Sequence, residues 1–483
     1  MRQHPKFILA VLFVCCAMKP VLGQVSANNA DHFQAALDFY RKSDIKSAIT
    51  ELQAFLKDNP DDALGMVWLG FMYLKQENAD EAIPILEKAI NIRQDLPEAY
   101  NNLGTAYLAK GDVAKATSAY EKSLSLNPKN PSALYNLANL YIKRERFDDA
   151  IRKYTEAAEV APDDVNIWNN LGYAYYVKAD YASAVAAYRR AVELAPKDPA
   201  IHLNLGLALH RSGDSEKALA EFEEAVRLDP GDYSIHIALG ESYASTGNID
   251  KAVEHFVNAA QIKPNEFTPH HNLAVLYGKQ EKYDAAVREY EEALKIRPNE
   301  LNVVNNLGWI FYKMGRLEDS VAHFRKAIAI NPNYALAHSN LAVVYQELGK
   351  PDLALAEWEE VLRINPKSIT AAISLANIYL AAGRIKEAEG KYKQVCEADP
   401  RNPHALNGMG LVAERLGRLD EAIEWYKRAL EAEPKFAIAY NNMGVAYEKK
   451  GMKQQAIQYY KKALELDPGY SDAQANLSRL GAG

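Results

Sequence analysis

Asparagines are the residues in this chain whose type and spacing could most clearly do chemistry. Eight of them lie 34 residues apart, or a multiple of 34 residues where an intermediate position holds another residue: Asn102, Asn136, Asn170, Asn204, Asn272, Asn306, Asn340 and Asn442. A second asparagine comes immediately before four of these positions, at Asn101, Asn169, Asn305 and Asn441. A side-chain amide is both donor and acceptor, so a row of amides can hydrogen-bond an extended peptide backbone. Such a row can equally brace neighbouring helices, and the sequence leaves both interpretations open.

Aromatic residues follow two of the asparagine pairs by about one helical turn. Tyr173 and Tyr176 follow Asn169 and Asn170, while Trp309 and Tyr312 follow Asn305 and Asn306. An aromatic side chain beside polar groups is a common anchor in protein interfaces. The predicted peptide-binding set therefore contains the eight asparagines, Asn169, Asn305 and these four aromatic residues.

Motifs for catalysis or metal binding are missing from the sequence. It contains no H-E-x-x-H, G-x-S-x-G, Walker A or C-x-x-C-H segment. His236 and the pair His270–His271 have no clustered ligands around them in the sequence pattern. We therefore predict a non-enzymatic protein with no catalytic residue, no metal site and no cofactor.

A single sequence period organises the chain that must position these side chains. Prolines recur from Pro128 to Pro468 at the spacing of the asparagines without a slip, and Pro60 keeps the same phase. We number thirteen repeats, which begin at positions 29, 63, 97 and so on to 437, with the proline at position 32 of each. Position 8 is always Gly or Ala, position 20 is Ala except at Ser320, and position 24 is bulky.

Each repeat reads as two helices joined by a turn. Positions 4, 7, 8 and 11 share one face of a first helix, and positions 20, 24 and 27 share one face of a second. The small residue at position 8 is expected to meet position 20, with aromatic rings beside that contact. Glycine at position 15 frees the chain to leave the first helix, and the proline ends the second. Pro84 lies within a second helix, where we expect a bend or a shifted start.

Trp168, Leu171, Gly172, Tyr175, Ala184, Tyr188 and Pro196 reproduce the signature of a known repeat. The pattern resembles the tetratricopeptide repeat, a helix–turn–helix unit of about 34 residues. This resemblance implies an all-α, right-handed superhelical solenoid of 13 repeats, with positions 2, 5, 6, 9, 12 and 13 lining its concave side. The asparagine series is similar to the repeat region of O-linked N-acetylglucosamine transferases, which implies peptide gripping without glycosyl transfer. The carboxylate clamp of chaperone-binding relatives is missing, because position 2 holds no Lys or Arg.

Position 13 is often basic, as at Lys143, Lys279, Lys313, Arg415 and Lys449. A stripe of cations could attract an acidic ligand. Cations are also favoured at the C-terminal end of a helix by its dipole. The dipole is the stronger explanation at this stage.

The N-terminal segment predicts export. Arg2 and Lys6 precede an apolar run at 7–18, and Val21-Leu22-Gly23 suits signal cleavage before Gln24. An uncleaved membrane anchor is the alternative. We therefore predict a signal peptide at 1–23, a linker at 24–28, the solenoid at 29–470 and a cap helix at 471–483. Cleavage leaves Cys396 as the one cysteine, which favours a buried apolar role over an intermolecular bridge.

Charge narrows the choice of partner. The formal net charge is −7, and loss of Arg2, Lys6 and Lys19 makes it −10. An acidic chain without a dense basic face is a poor candidate for nucleic-acid binding. We predict a periplasmic or secreted scaffold that binds extended peptide segments of partner proteins in its groove. Its expected role is in assembly of envelope or secretion machinery, and we expect no membrane span after cleavage. The alternative is a self-associating structural scaffold, that is, a homo-oligomer.

Overall fold

The computed structural model of the protein describes residues 30–481. These residues form 27 α-helices and no strand. The predicted signal peptide and linker lie outside the described residues, as does the end of the predicted cap beyond residue 481. None of the helices in 30–481 combines the length and apolar character that crossing a membrane requires.

Contacts divide the chain into two compact units, Met1–Pro264 and Asn265–Gly483, and each is described by itself. The described helices of the first unit are α1 (Ala30–Arg41), α2 (Ile45–Asp58), α3 (Ala63–Lys75), α4 (Ala79–Ile92), α5 (Pro97–Ala109), α6 (Val113–Leu126), α7 (Pro131–Lys143), α8 (Phe147–Val160), α9 (Val165–Val177), α10 (Tyr181–Leu194), α11 (Pro199–Ser212), α12 (Ser215–Leu228), α13 (Tyr233–Ser245) and α14 (Ile249–Ile262).

The second unit continues the same alternation. Its described helices are α15 (Phe267–Lys279), α16 (Tyr283–Ile296), α17 (Leu301–Lys313), α18 (Leu317–Ile330), α19 (Ala335–Glu347), α20 (Pro351–Ile364), α21 (Ile369–Ala381), α22 (Ile385–Ala398), α23 (Pro403–Arg415), α24 (Leu419–Ala432), α25 (Ala437–Lys449), α26 (Lys453–Leu466) and α27 (Ser471–Arg479). Odd-numbered helices are the first helices of the repeats and even-numbered helices are the second. The predicted all-α helical-repeat solenoid is confirmed, and α27 forms where the cap helix was expected.

Position 8 is small because an aromatic ring lies against it. A Cβ atom added to Gly206 would lie 2.5 Å from Cε1 of Phe222, which occupies position 24 of the same repeat. Position 20 also reaches this place, as expected, since the Ser320 hydroxyl donates to the Gly308 carbonyl at 2.8 Å. The two helices of a repeat therefore approach until glycine backbone, small side chain and ring are in contact.

Position 15 turns the chain between the two helices. Its φ angle is positive in every repeat, whether the residue is glycine, as at Gly111 (+80°), or another type, as at Glu145 (+56°). Glycine adopts this region without the steric cost that a Cβ atom brings. The expected role of glycine at this position is confirmed.

Of the two effects expected of Pro84, a bend in its helix or a shifted start, the shifted start does not occur. Helix α4 runs unbroken over Ala79–Ile92, in the same register as the second helices of the other repeats. Pro84 lies on the exposed side of α4. The carbonyl that loses its helical partner there can be hydrated, so the helix continues through the proline.

A hydrogen bond between successive repeats was not foreseen from the sequence. The side chain at position 4 donates to the carbonyl of the preceding repeat's position-32 proline, as Trp168 Nε1 does to Pro162 at 2.8 Å. Equivalent bonds join His202 to Pro196, His236 to Pro230, His338 to Pro332, Tyr440 to Pro434 and Gln474 to Pro468. Where position 4 is Met66 or Ala372, position 26 donates instead, through Lys88 to Pro60 and Gln394 to Pro366. We call this bond the proline clasp.

Candidate peptide-binding face

First helices of successive repeats contact one another within each unit. Such contacts join α3 to α5, α5 to α7, α9 to α11 and α11 to α13, and likewise α17 to α19, α21 to α23, α23 to α25 and α25 to α27. Positions 2, 5, 6, 9, 12 and 13 of these helices include every residue of the predicted peptide-binding set, and we call the side of the first helices that carries them the first-helix face. Within the set, Asn102, Asn170, Asn204 and Asn305 are buried.

The position-6 asparagines hydrogen-bond from one repeat to the next. Asn136 Nδ2 donates to Asn101 Oδ1 at 3.0 Å, and Asn204 Nδ2 donates to Asn169 Oδ1 at 2.9 Å. The same bond joins Asn170 to the Tyr135 hydroxyl, Asn340 to Asn305, Asn442 to Asn407, and Asn476 of α27 to Asn441. Each bond thus runs from position 6 of one repeat back to position 5 of the repeat before it. We call this series the asparagine ladder.

The ladder explains the asparagines that precede others in the sequence. A position-5 asparagine is the acceptor for the following repeat, whatever residue comes next along its own helix. Asn407 shows this, because its sequence neighbour is Gly408 and it still accepts from Asn442 at 3.0 Å. These are the contacts expected of amides that brace helices.

Three predicted asparagines stand outside this series. Asn306 hydrogen-bonds the Tyr290 hydroxyl, and Asn272 makes a 3.4 Å contact with Nδ1 of His271. The Nδ2 atom of Asn102 is buried without a partner. Position 5 of the preceding repeat is Val67, whose side chain cannot accept a hydrogen bond.

The ladder leaves amide groups over for a ligand. A donor such as Asn136 uses one of its two N–H groups in the ladder, and its carbonyl oxygen is a separate acceptor. Asn170 is the exception, because its Nδ2 donates to both Tyr135 and Asn139. Asn136, Asn340 and Asn442 are half-buried, whereas Asn170 and Asn204 are buried. Bracing and peptide binding are therefore compatible at the half-buried positions, and the peptide-binding role of the set stays a prediction.

Trp309 is the most exposed aromatic residue of the predicted set. It is 38% exposed, and its ring centroid lies 5.0 Å from that of Tyr312. The Lys313 ammonium lies 5.7 Å from the Trp309 ring centroid. A hydrogen bond to Glu347 raises the pKa of Tyr312. This group joins an apolar platform to charged neighbours on the first-helix face.

Tyr173 and Tyr176 form the corresponding group in the first unit. Both are half-buried, and burial raises the pKa of Tyr173. The Tyr176 ring packs edge-on against Tyr181 at 5.6 Å, and its hydroxyl accepts from Arg211 Nε at 3.4 Å. These rings are held by their neighbours and present less free surface than Trp309.

Aromatic residues at the helix-packing positions differ in burial. Trp358 is buried, whereas Trp168 and Tyr107 are half-buried. Cys396 is also half-buried in α22, where burial raises the pKa of its thiol. Within 30–481, no three His, Cys, Asp or Glu side chains come together as metal ligands would.

Family models match the chain along nearly all of this architecture. Residues 29–302, more than half of the chain, match the model described as the C-terminal domain of cilia and flagella-associated protein 70. Tetratricopeptide-repeat models match residues 308–349, 333–401, 373–435 and 437–470. The chain belongs to the tetratricopeptide-repeat family. No curated protein matches the sequence of this tetratricopeptide-repeat chain.

Several solved structures of other repeat proteins are similar to this chain. A tetratricopeptide-repeat protein from Parabacteroides merdae is 19% identical, with 52% of this chain and 98% of that chain covered and a TM-score of 0.43. The C-terminal part of a repeat protein from Cytophaga hutchinsonii is 17% identical over 50% of this chain and 99% of that one, at a TM-score of 0.44. A chain in the crystal structure of the APC/C hetero-tetramer Cut9–Hcn1 is 15% identical, with 94% of this chain and 96% of that chain covered and a TM-score of 0.39. At these identities and TM-scores the likeness carries no conclusion about function.

Proposed function

We propose that this tetratricopeptide-repeat chain is a non-catalytic scaffold that binds extended segments of partner proteins on its first-helix face. The fold suggests protein–protein interaction in general terms. The observation that carries the finer proposal is Trp309, a large ring left 38% exposed beside Asn305 and Asn306. Partly exposed aromatic rings next to polar groups supply much of the energy of protein interfaces.

The asparagine ladder supports this proposal because it fixes the side chains before a ligand arrives. An asparagine held by Nδ2 has lost its rotamer freedom already, so binding need not restrict it again. Its remaining groups can pair with a peptide backbone, which is the same for every partner sequence. The aromatic rings then provide the preference for particular side chains.

A matched pair of tryptophan variants tests the location of binding. Trp309→Ala removes the exposed ring of the first-helix face, whereas Trp425→Ala removes a half-buried ring from the second helix α24. For peptides selected from a random dodecapeptide display library on the chain 24–483, we expect Trp309→Ala to weaken binding about tenfold or more. Trp425→Ala should leave the dissociation constant within about twofold. Equal losses in both variants would place the binding site elsewhere.

We further propose that the chain works outside the cytoplasm, in assembly of envelope or secretion machinery. The basic and apolar segments at 1–23 support export, since they have the composition of a signal peptide. N-terminal sequencing of the natural protein should begin near Gln24. Recovery of the chain with Met1 intact from a soluble cytoplasmic fraction would remove this part of the proposal.

The surface of α27 favours peptide binding over end-to-end self-association. Ala473 and Leu477 pack inward, while Asp472, Gln474 and Arg479 are exposed. A stacking surface needs a contiguous apolar patch, which this outer side does not offer. Light scattering over a concentration series should give one constant mass. A mass that rises with concentration would favour the self-associating scaffold.

A further inference from the structure

Histidine at position 4 meets the side chain at position 23 of its own repeat. In repeats 1, 6, 8 and 10 the partner is a glutamate, whose carboxylate lies 2.5–2.7 Å from Nδ1 of the histidine: His32–Glu51, His202–Glu221, His270–Glu289 and His338–Glu357. Repeat 7 has a different partner. Its His236 Nδ1 lies 3.1 Å from Nδ1 of His255. A second imidazole thus stands where the other four repeats have a carboxylate.

The proline clasp fixes one proton on these histidines. A carbonyl oxygen only accepts, so Nε2 carries hydrogen in His338, 3.1 Å from Pro332, and in His236, 3.0 Å from Pro230. The second nitrogen of His338 faces the Glu357 carboxylate, so a proton there makes a charge-assisted hydrogen bond and the two charges cancel. A proton at the same nitrogen of His236 finds no negative charge, because that nitrogen faces an imidazole.

The contact between the two imidazoles has room for one hydrogen. Since Nε2 of His236 already carries hydrogen, the neutral pair is completed by Nδ1–H of His255 donating to Nδ1 of His236. The ring centroids are 5.3 Å apart, so these nitrogens are the nearest parts of the two rings. With both histidines doubly protonated, two N–H donors and two positive charges would face each other. The closed pair therefore holds one added proton at most.

Burial around His255 also opposes its charged form. The Tyr243 ring of α13 stacks on the His255 ring, with 5.6 Å between the centroids. Burial, and then the neighbouring His236, lower the pKa of His255 below its ordinary value. Within the described residues neither histidine forms an ion pair with a carboxylate, in contrast to His338.

The charged groups nearest the pair do not replace the missing glutamate. Glu223 of α12 accepts a hydrogen bond from the Tyr243 hydroxyl, which itself accepts from Lys251 Nζ of α14 at 3.2 Å. Glu254 of α14 and Glu223 favour the charged form of His255, while Lys251 opposes it. The two glutamates act more weakly than burial and His236, so the pair keeps its preference for the neutral state.

We propose that the His236–His255 pair makes repeat 7 sensitive to acid, so that α13 and α14 open under mildly acidic conditions while repeats with a histidine–glutamate pair stay closed. These are the last two helices of the first unit, and a repeat array can open locally because each repeat contacts mainly its neighbours. Histidine is the side chain whose ordinary charge change falls in this range of pH. The inference is independent of the proposed peptide binding.

The sign and size of the effect follow from proton binding. In the opened repeat both histidines can take a proton at a pKa near 6.5, whereas the closed pair holds one at most. The stability of the pair is therefore present above about pH 6.5 and is lost as the pH falls below that value. At about pH 5.5 a free histidine is roughly nine-tenths protonated, so exclusion of one proton favours opening about tenfold.

Two reciprocal substitutions exchange the partners. His255→Glu gives His236 the carboxylate of the other repeats, and Glu357→His gives repeat 10 the pair of repeat 7. Repeat 10 is the matched place, because His236 and His338 are each 5% exposed and both repeats have tyrosine at position 11. His236→Gln removes one protonation site and keeps a donor for the proline clasp, as glutamine does in α27.

Hydrogen exchange followed by mass spectrometry measures the opening of each helix pair. The sample is the chain 24–483 with EDTA, at about pH 7.5 and about pH 5.5, with rates corrected for intrinsic exchange. Protection of α13 and α14 should fall about tenfold more than that of α19 and α20. His255→Glu should abolish this difference, and Glu357→His should bring the same fall to α19 and α20. His236→Gln should leave a smaller fall at α13 and α14.

Two results would overturn the inference. An equal acid response of α13 and α14 in the unsubstituted chain and in His255→Glu would show that other groups cause the loss. An unchanged response of α19 and α20 in Glu357→His would show that paired imidazoles do not open a repeat. The second result does not depend on how the repeat 7 variants fold, because it is measured in a different repeat.

Discussion

Removal of three ladder asparagines should destabilise the first unit. In the variant Asn136→Ala/Asn170→Ala/Asn204→Ala, the Nδ2 donors to Asn101 and Asn169, at 3.0 and 2.9 Å, are lost. Asn170 contributes two further contacts to repeat 4, at 2.9 and 3.2 Å. The three donors use different acceptors, so their contributions should be close to additive.

The expected magnitude follows from the burial of each bond. An intramolecular hydrogen bond contributes about 0.5–1.5 kcal/mol to the free energy of unfolding. Asn170 is 2% and Asn204 6% exposed, so water cannot easily replace their bonds, and they belong near the upper end. Asn136 is half-buried and belongs near the lower end. The triple variant should therefore lose about 2–4 kcal/mol.

Asn102 provides the control, because it has the same position and residue type but no ladder bond. Its Nδ2 atom is buried without a partner, so its desolvation is not compensated. Asn102→Ala should leave the free energy of unfolding within about 0.5 kcal/mol of the parent or raise it, since removal of an unsatisfied group is close to neutral or stabilising.

Urea unfolding followed by circular dichroism, together with peptide affinity on the same preparation, checks both values. The bracing argument predicts a lower urea midpoint for the triple variant and no decrease for Asn102→Ala. A triple variant with an unchanged midpoint and weakened peptide binding would refute it. The amides would then act on ligand alone.

Four further substitutions have outcomes of defined sign. Gly206→Ala should destabilise the chain by about 1–3 kcal/mol, because its Cβ would lie 2.5 Å from the Phe222 ring. A Cβ atom added to Gly390 would have nothing within 4 Å, so Gly390→Ala should stabilise the chain by about 0.5–1 kcal/mol through helix propensity and raise the urea midpoint. A shift of the urea midpoint in the same direction for Gly206→Ala and Gly390→Ala would contradict the packing argument. Trp168→Phe should cost about 0.5–1.5 kcal/mol and speed amide exchange beside the lost proline clasp, and unchanged exchange would count against the clasp. Burial raises the pKa of Tyr120 to about 12, above its unfolded value near 10. The stability that the neutral Tyr120 phenol contributes is therefore present below about pH 10 and is lost as pH rises through 12. Tyr120→Phe should flatten the decline of the urea midpoint over this range, and an unaltered slope would exclude the Tyr120 phenol as its cause.

The helices could be predicted from the sequence because their signals are local and occur thirteen times. Periodic apolar residues, the position-15 turn and the proline at position 32 each act within a few residues of themselves. Which of the two expected effects Pro84 has could not be predicted for the same reason. A local rule warns against proline in a helix, but whether the freed carbonyl faces water depends on tertiary packing.

The places of the asparagines on the first helices could be predicted from the sequence, but their hydrogen-bond partners could not. Asn102 and Asn136 look equivalent along the chain, yet one has a buried, unpartnered amide and the other a 3.0 Å hydrogen bond. The difference lies at position 5 of the preceding repeat, which is Val67 for one and Asn101 for the other. The two residues of a ladder bond lie one residue further apart than the repeat length. This offset is set by how successive first helices pack, and the sequence period does not reveal it.

The proline clasp has a consequence for how such a sequence can drift. The position-4 side chain that donates to the proline carbonyl is tryptophan, histidine, tyrosine or glutamine. Lysine or glutamine at position 26 can take its place. The repeats that have a clasp share a capacity to donate, carried by side chains of very different size and by two different helices, whereas Leu134, Val304 and Leu406 at position 4 have no such group. Repeats can thus differ in sequence while they keep the hydrogen bond between them. The effect of a substitution at position 4 depends on whether the new side chain can donate a hydrogen bond, more than on its similarity to tryptophan.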